Sequence, residues 1–147
     1  MLLPGAPSVS DATHNTPVGD IVIHTLHYKG VITHDVMYVD YAINVEDPSA
    51  VKKFFDEMRD GGMANVSQHN PRIVKETELT VGGHPARFLE IELAGKTIVR
   101  IKYVAVRNRV YNIVATSGKA HPSVMGSEND YREIAMAFLD SFQLTRE

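Results

Sequence analysis

The sequence contains no cysteine. That removes disulfides, thiolate metal sites and cysteine nucleophiles from consideration. It does not fix a compartment, because cytosolic and exported proteins alike can lack cysteine. Tryptophan is also absent, and Lys plus Arg (15) falls short of Asp plus Glu (18), for a formal net charge of −3. A nucleic-acid binder needs a clustered basic face, and no basic run exists here. Single-strand binding through stacked aromatics is likewise unsupported. No stretch approaches the ~20 apolar residues of a membrane helix. The opening Met1-Leu2-Leu3-Pro4-Gly5 lacks the charged n-region and apolar core of a signal peptide. Because domain-like sequence begins almost at once, the expectation is that a natural N-terminal segment is missing.

What is present suits one soluble domain over residues 1–147. The 44% hydrophobic fraction is ordinary for a globular chain and argues against bulk disorder. Pro7 to Thr16 is polar and reads as an edge strand or extended arm. Strands are predicted over Ile21–Tyr28 and over Val31 to about Val45, the latter from the alternation of Met37, Val39, Tyr41, Ile43 and Val45. Asp47-Pro48 is expected to open a helix with Asp47 as its N-cap. Val51, Phe54, Phe55 and Met58 form its apolar face, and Gly61-Gly62 is expected to end or kink it, with a short helical extension through Met63 and Val66 as the alternative.

Four strand-like segments follow, Arg72–Val81, Pro85–Leu93, Thr97–Val106 and Val110–Thr116, joined by gaps short enough to imply antiparallel hairpins. A three-residue loop at Ala94-Gly95-Lys96 sets Ile91 opposite Val99, Leu89 opposite Ile101 and Glu90 opposite Arg100. A similar loop at Arg107–Arg109 pairs Tyr103 with Ile113 and Ala105 with Tyr111. The last two strands are apolar on both faces, so the sheet needs cover on both sides. A final helix starts near Glu128, with Tyr131, Ile134, Ala135, Phe138, Leu139 and Phe142 as its stripe. Phe138 is expected in the core, and Asp140, off the stripe, at a tolerant surface position. The fold expectation is α+β: a central antiparallel sheet of about six strands with helices on both faces, a three-layer α/β/α sandwich.

No catalytic constellation emerges. His24 and His27 have opposite strand parity and cannot ligate one metal together, and His34 adds no converging set, so solvent-facing or hydrogen-bonded histidines are preferred to a metal site. Ser117, His121, Ser123 and Asp130 lack a nucleophile elbow. Gly118-Lys119-Ala120 lacks the upstream glycine and the following Ser/Thr of a phosphate loop, and Gly82-Gly83 is a hairpin turn rather than a dinucleotide fingerprint. The remaining candidates are the polar strip of Glu90, Glu92, Arg100 and Lys102, with cross-strand ion pairing as the preferred reading. Lys52 with Asp56 and Lys53 with Glu57 read as a solvated helix face.

Several local patterns suggest a family. Leu3-Pro4-Gly5-Ala6-Pro7, Thr16-Pro17-Val18-Gly19, Val81-Gly82-Gly83-His84-Pro85-Ala86-Arg87, Asn108-Arg109-Val110-Tyr111 and Phe138-Leu139-Asp140-Ser141-Phe142-Gln143-Leu144 together resemble the bacterial branch of the PsbP-like α/β/α sandwich group. That group also includes Ran-binding import factors of the Mog type. The resemblance implies a non-enzymatic accessory module with an unidentified protein partner, exported or membrane-anchored; no cofactor is expected. It transfers no site. The alternative is a small-molecule or enzymatic domain using Glu90, Arg100 and Lys102, together with His121 in the Ser117–Asp130 loop.

Overall fold

The computed structural model describes residues 6–16, 19–30, 32–94, 96–118 and 128–144. Seven strands form one antiparallel sheet: β1 (Ser8–Thr16), β2 (Gly19–Lys29), β3 (Thr33–Asp40), β4 (Arg72–Val81), β5 (His84–Leu93), β6 (Thr97–Val106) and β7 (Arg109–Ser117). Their order is β1-β2-β3-β7-β6-β5-β4. The helices are α1 (Val51–Asn65) and α2 (Glu128–Asp140), with a single 3₁₀ turn at Ser67–His69.

This corrects the expected three-layer α/β/α sandwich of about six strands. Among the described residues the fold is mainly β, because β1 and β2 pair and widen the sheet, while α-helix is confined to two short segments of 15 and 13 residues. A single helix cannot make a layer over seven strands. Each one covers a limited part of the sheet, and β1 projects clear of both cores.

Strand parity sorts the core into two clusters. On one face Ala86, Phe88, Val104, Ile113 and Ala115 pack with Tyr131, Ala135, Phe138, Leu139 and Phe142 of the α2 segment. On the other, Leu89, Ile91, Tyr103, Ala105 and Val110 pack with Phe55 of α1 and with Val45. The β5–β6 register is Leu89 to Ile101, Glu90 to Arg100 and Ile91 to Val99, as the charge pairing requires. Gly82 and Gly83 take φ of 58° and 83° between β4 and β5, the left-handed pair that a tight hairpin turn demands.

The β6–β7 register differs from the expected one. Tyr103 pairs with Asn112 and Ala105 with Val110, because the turn has two residues and Arg107 adopts a φ of 56°. The shift by one residue decides which valines share a face. Val104 and Val106 lie with Tyr111 under α2, while Val110 joins Ala105 under α1.

Strand β3 stops at Asp40 rather than running to Val45. There the chain leaves the sheet to wrap the β6–β7 turn, with the Tyr41 N–H donating to Asn108 O (2.7 Å) and the Val45 N–H to Arg107 O (2.8 Å). Asp47 is not the N-cap of α1. Its carboxylate accepts from the Ser49 N–H and hydroxyl in a turn one step earlier, and Ala50 stands at the cap. The helix continues through Gly61-Gly62, since Met63 packs into the core beyond them and offsets a cost of about 1 kcal/mol per glycine. Ile134, expected in the α2 stripe, is 45% exposed; the helix rolls so that Tyr131, Ala135 and Phe138 meet the sheet. No helix among the described residues is long and apolar enough to cross a membrane.

Candidate functional site

Of the candidate residues read from sequence, Glu90, Arg100 and Lys102 come together on the α2 face of β5 and β6. Arg100 Nε donates to Glu90 Oε2 at 3.1 Å, and the Arg100 side chain is buried. Lys102 is buried too. Its ammonium donates to Leu139 O and to Asp140 Oδ1, both at 2.9 Å, at the C-terminal end of α2. A cation there satisfies carbonyls that the last helical turn leaves open and complements the negative end of the helix dipole. This part of the strip therefore holds α2 to the sheet. Glu92 faces Arg72 across the β4–β5 pair at 3.1 Å. His121, Ser123 and Lys119 lie outside the described residues, as does the side chain of Asp130; the Ser117 hydroxyl donates to Ile98 O at 3.5 Å.

The histidines are dispersed. His24 Nδ1 sits 2.7 Å from Asp11 Oδ1 and the ring stacks on Tyr38, while His27 pairs with Asp35. His34 is buried edge-on against Phe138. His84 Nδ1 lies 2.7 Å from Glu46 Oε1. No group of three or more metal-ligating side chains forms among the described residues.

The geometry brings forward a different place, the groove between α1 and the β4–β5 hairpin. Helical spacing aligns Lys52, Asp56 and Arg59 along one side of α1, while period-two alternation points Glu76 and Glu78 of β4 at them. Arg87 of β5 stands opposite Glu78 and is 2% exposed. Its Nη1 donates to Asp56 Oδ1 at 2.6 Å and to Glu76 Oε2 at 3.4 Å. Its Nη2 donates to Glu78 Oε1 at 3.2 Å and to Lys52 O at 3.5 Å. The guanidinium lies 5.4 Å from the centre of the Phe55 ring. Arg59 adds bonds to both Glu76 oxygens, at 3.1 and 3.0 Å, and to Asp60 at 2.9 Å. Bonding to Arg87 holds the Asp56 carboxyl below its ordinary range.

Two cavities open along this groove and share Lys52 and Glu78. The smaller, about 380 Å³, is lined by the charged cluster. The larger, about 680 Å³, has mostly apolar walls: Pro48, Val51 and Phe55 on the α1 side and Pro85 on the hairpin, where Leu79 and Ala86 border it although their side chains pack into the α2-face core. Glu46 stands at its margin. Burial pushes the Glu46 carboxyl up, but the Arg107 N–H at 2.8 Å and His84 outweigh this and hold it below its ordinary range. Sequence reading assigned Lys52 and Asp56 to a solvated helix face. The signal it passed over was the Glu76-x-Glu78 alternation set against Arg87, which needs the hairpin register to become visible.

A second feature is the free end of the sheet. Strand β1 pairs with β2 over its whole length and is an edge strand. Val9 is 71% and Val22 39% exposed, and register puts both on the α2 face, beyond the helix.

No family model and no curated protein matches the chain. Among solved structures it is similar to PA94 from Pseudomonas aeruginosa, a protein of unknown function described as a candidate regulator. The TM-score is 0.56 at 13% identity, over 97% of this chain and 99% of that one, a likeness of fold alone.

Proposed function

We propose that this chain is a non-enzymatic accessory module that binds a protein partner by adding an extended segment of that partner to the β1 edge. The contrast between the two sheet edges carries this reading. Edge strand β4 carries the devices that block strand addition: a register irregularity between Ile73 and Lys75, and the charges Arg72, Lys75, Glu76 and Glu78. Strand β1 carries one carboxylate, Asp11, already bonded to His24, and its nine residues are otherwise uncharged serine, threonine, asparagine, alanine, valine and histidine. An incoming strand would satisfy the outward backbone groups of β1 and flank the exposed Val9. The resemblance to accessory proteins points in the same direction.

The experiment places a photo-crosslinking residue at position 9 in the full chain and exposes it to native extract. A control chain carries the crosslinker at the exposed Lys53 of α1. A discrete adduct is expected from position 9 and not from position 53. Alternate residues of an edge strand turn their N–H outward, so of Ala12→Pro and Thr13→Pro one should abolish the adduct without shifting the melting temperature, and the other should destabilise the hairpin. An adduct indifferent to both prolines, or none together with turnover of a small substrate by the purified chain, would overturn the reading.

A further inference from the structure

We propose that the groove between α1 and the β4–β5 hairpin binds a small organic carboxylate with an apolar body, the carboxylate at the charged end and the body between the apolar walls. This site is separate from strand addition at β1, and either can stand without the other.

The sign of the ligand follows from which polar groups in the groove have capacity left. The carboxylates are committed. Asp56, Glu76 and Glu78 each accept from Arg87, Glu76 also from Arg59, and Glu46 from the Arg107 N–H with His84 beside it. The one charged group lining the groove with no bond or ion pair among the described residues is a donor. Lys52 lines both cavities, and its ammonium makes no ion pair among the described residues. Arg87 Nε is buried without a partner among them. That nitrogen has no exposed surface, so the donor a ligand can reach is the Lys52 ammonium. In the smaller cavity the lining cations Lys52, Arg59 and Arg87 balance Asp56, Glu76 and Glu78, so one added negative charge meets no net opposing charge. An ammonium ligand would face Lys52 and find every carboxylate already bonded.

The apolar half sets the rest of the ligand. Pro48, Val51 and Phe55 face Thr80 and Pro85 of the hairpin across about 680 Å³, within the range of small-molecule pockets. Lys52 stands where the two halves meet, so a chain of several carbons bonded directly to the carboxylate spans both. Such a group could be a free acid or the terminal carboxylate of a peptide ending in an apolar residue.

Octanoate and N-acetyl-leucine are the probes, titrated into the isotope-labelled full chain while backbone amide shifts are followed. Octanol and octylamine serve as neutral and cationic controls. Shifts are expected at Lys52, Phe55, Leu79 and Arg87 with either acid, and the tighter of the two identifies free acid or peptide end as the source. Lys52→Met, at an exposed position, should weaken binding about tenfold, the loss of one charge-assisted contact. Thr80→Trp, which fills the larger cavity from an exposed strand position, should remove binding while leaving the shifts of β6 and β7 in place. Octylamine or octanol binding as tightly as the acids would overturn the proposal, as would shifts clustered at Val9 and Val22, an unaltered affinity in Lys52→Met, or no response at about 10 mM probe, an affinity too weak to act on.

Discussion

His34 shows how much one side chain can set. It is buried on β3, with Tyr28 tilted on one side and the Phe138 edge of α2 on the other, and its Nδ1 has no partner among the described residues. Burial lowers its pKa from 6.5, against the opposing pull of its bond to the Ile32 backbone and the neighbouring charge of Asp35. A histidine held neutral in the folded state adds stability that is fully present above the unfolded value. That stability is lost as pH falls below 6.5 towards the folded value, since the unfolded chain then binds the extra proton. The melting temperature of the parent should therefore fall more steeply as pH drops below 6.5 than that of His34→Leu, whose apolar side chain cannot titrate. Parallel curves for the two proteins would remove His34 from the account. On the same helix, Phe138→Ala should cost about 3–5 kcal/mol through lost burial and a cavity. Asp140 was expected to be a neutral surface residue, but it accepts the buried Lys102 ammonium. Asp140→Ala leaves Lys102 its bond to Leu139 O and should cost roughly 1 kcal/mol, visible beside Phe138→Ala in thermal melts.

At the scale of elements, α1 is tied to the sheet by charge as well as by Phe55. Removing the Arg87 cation leaves Glu78 without its partner and leaves Asp56 and Glu76 with Arg59 alone, a loss that should cost roughly 1–3 kcal/mol because these carboxylates are partly exposed and screened. Arg87→Met should accordingly lower the denaturant midpoint with little change in slope, and Arg87→Lys should not restore it, because one ammonium cannot reproduce a forked set of bonds to Asp56, Glu76 and Glu78. The elements themselves were largely legible in the sequence, because alternation over β5 and β6 and the 3.6-residue stripes of the helices are imposed locally by burial. The β5–β6 register was legible for a further reason, that a one-residue slip would have set Leu89 against Arg100. The β6–β7 register had no such penalty, since both faces of β7 are apolar, and its outcome hung on Arg107 entering a left-handed conformation that its residue type does not announce. The groove was illegible for a different reason. Lys52 and Asp56 meet Glu76, Glu78 and Arg87 only after α1 has docked, and helical spacing alone cannot tell a charged stripe facing water from one facing a strand.

The whole molecule is graded across its sheet, and the gradient can be measured. Strands β6 and β7 sit between the two cores, with Val104, Ala105, Ile113 and Ala115 fully buried. Toward β1 both helices are left behind, and β1 itself is exposed from Ser8 to Asn15. Opening free energies in one domain range from near zero at edges to the global value in the core. Native-state hydrogen exchange should therefore be slowest in β6 and β7 and fastest in β1, with β2 and β3 ordered between them. Exchange in β4 should be slower than in β1 although both are edges, because the Arg87 and Arg59 bonds pin Glu76 and Glu78 to α1. In Arg87→Met that difference should shrink while the protection of β7 persists. Equal exchange in β1 and β4 of the parent would mean that the charged cluster stabilises neither edge, and the asymmetry that points to β1 as the receptive one would lose its energetic basis.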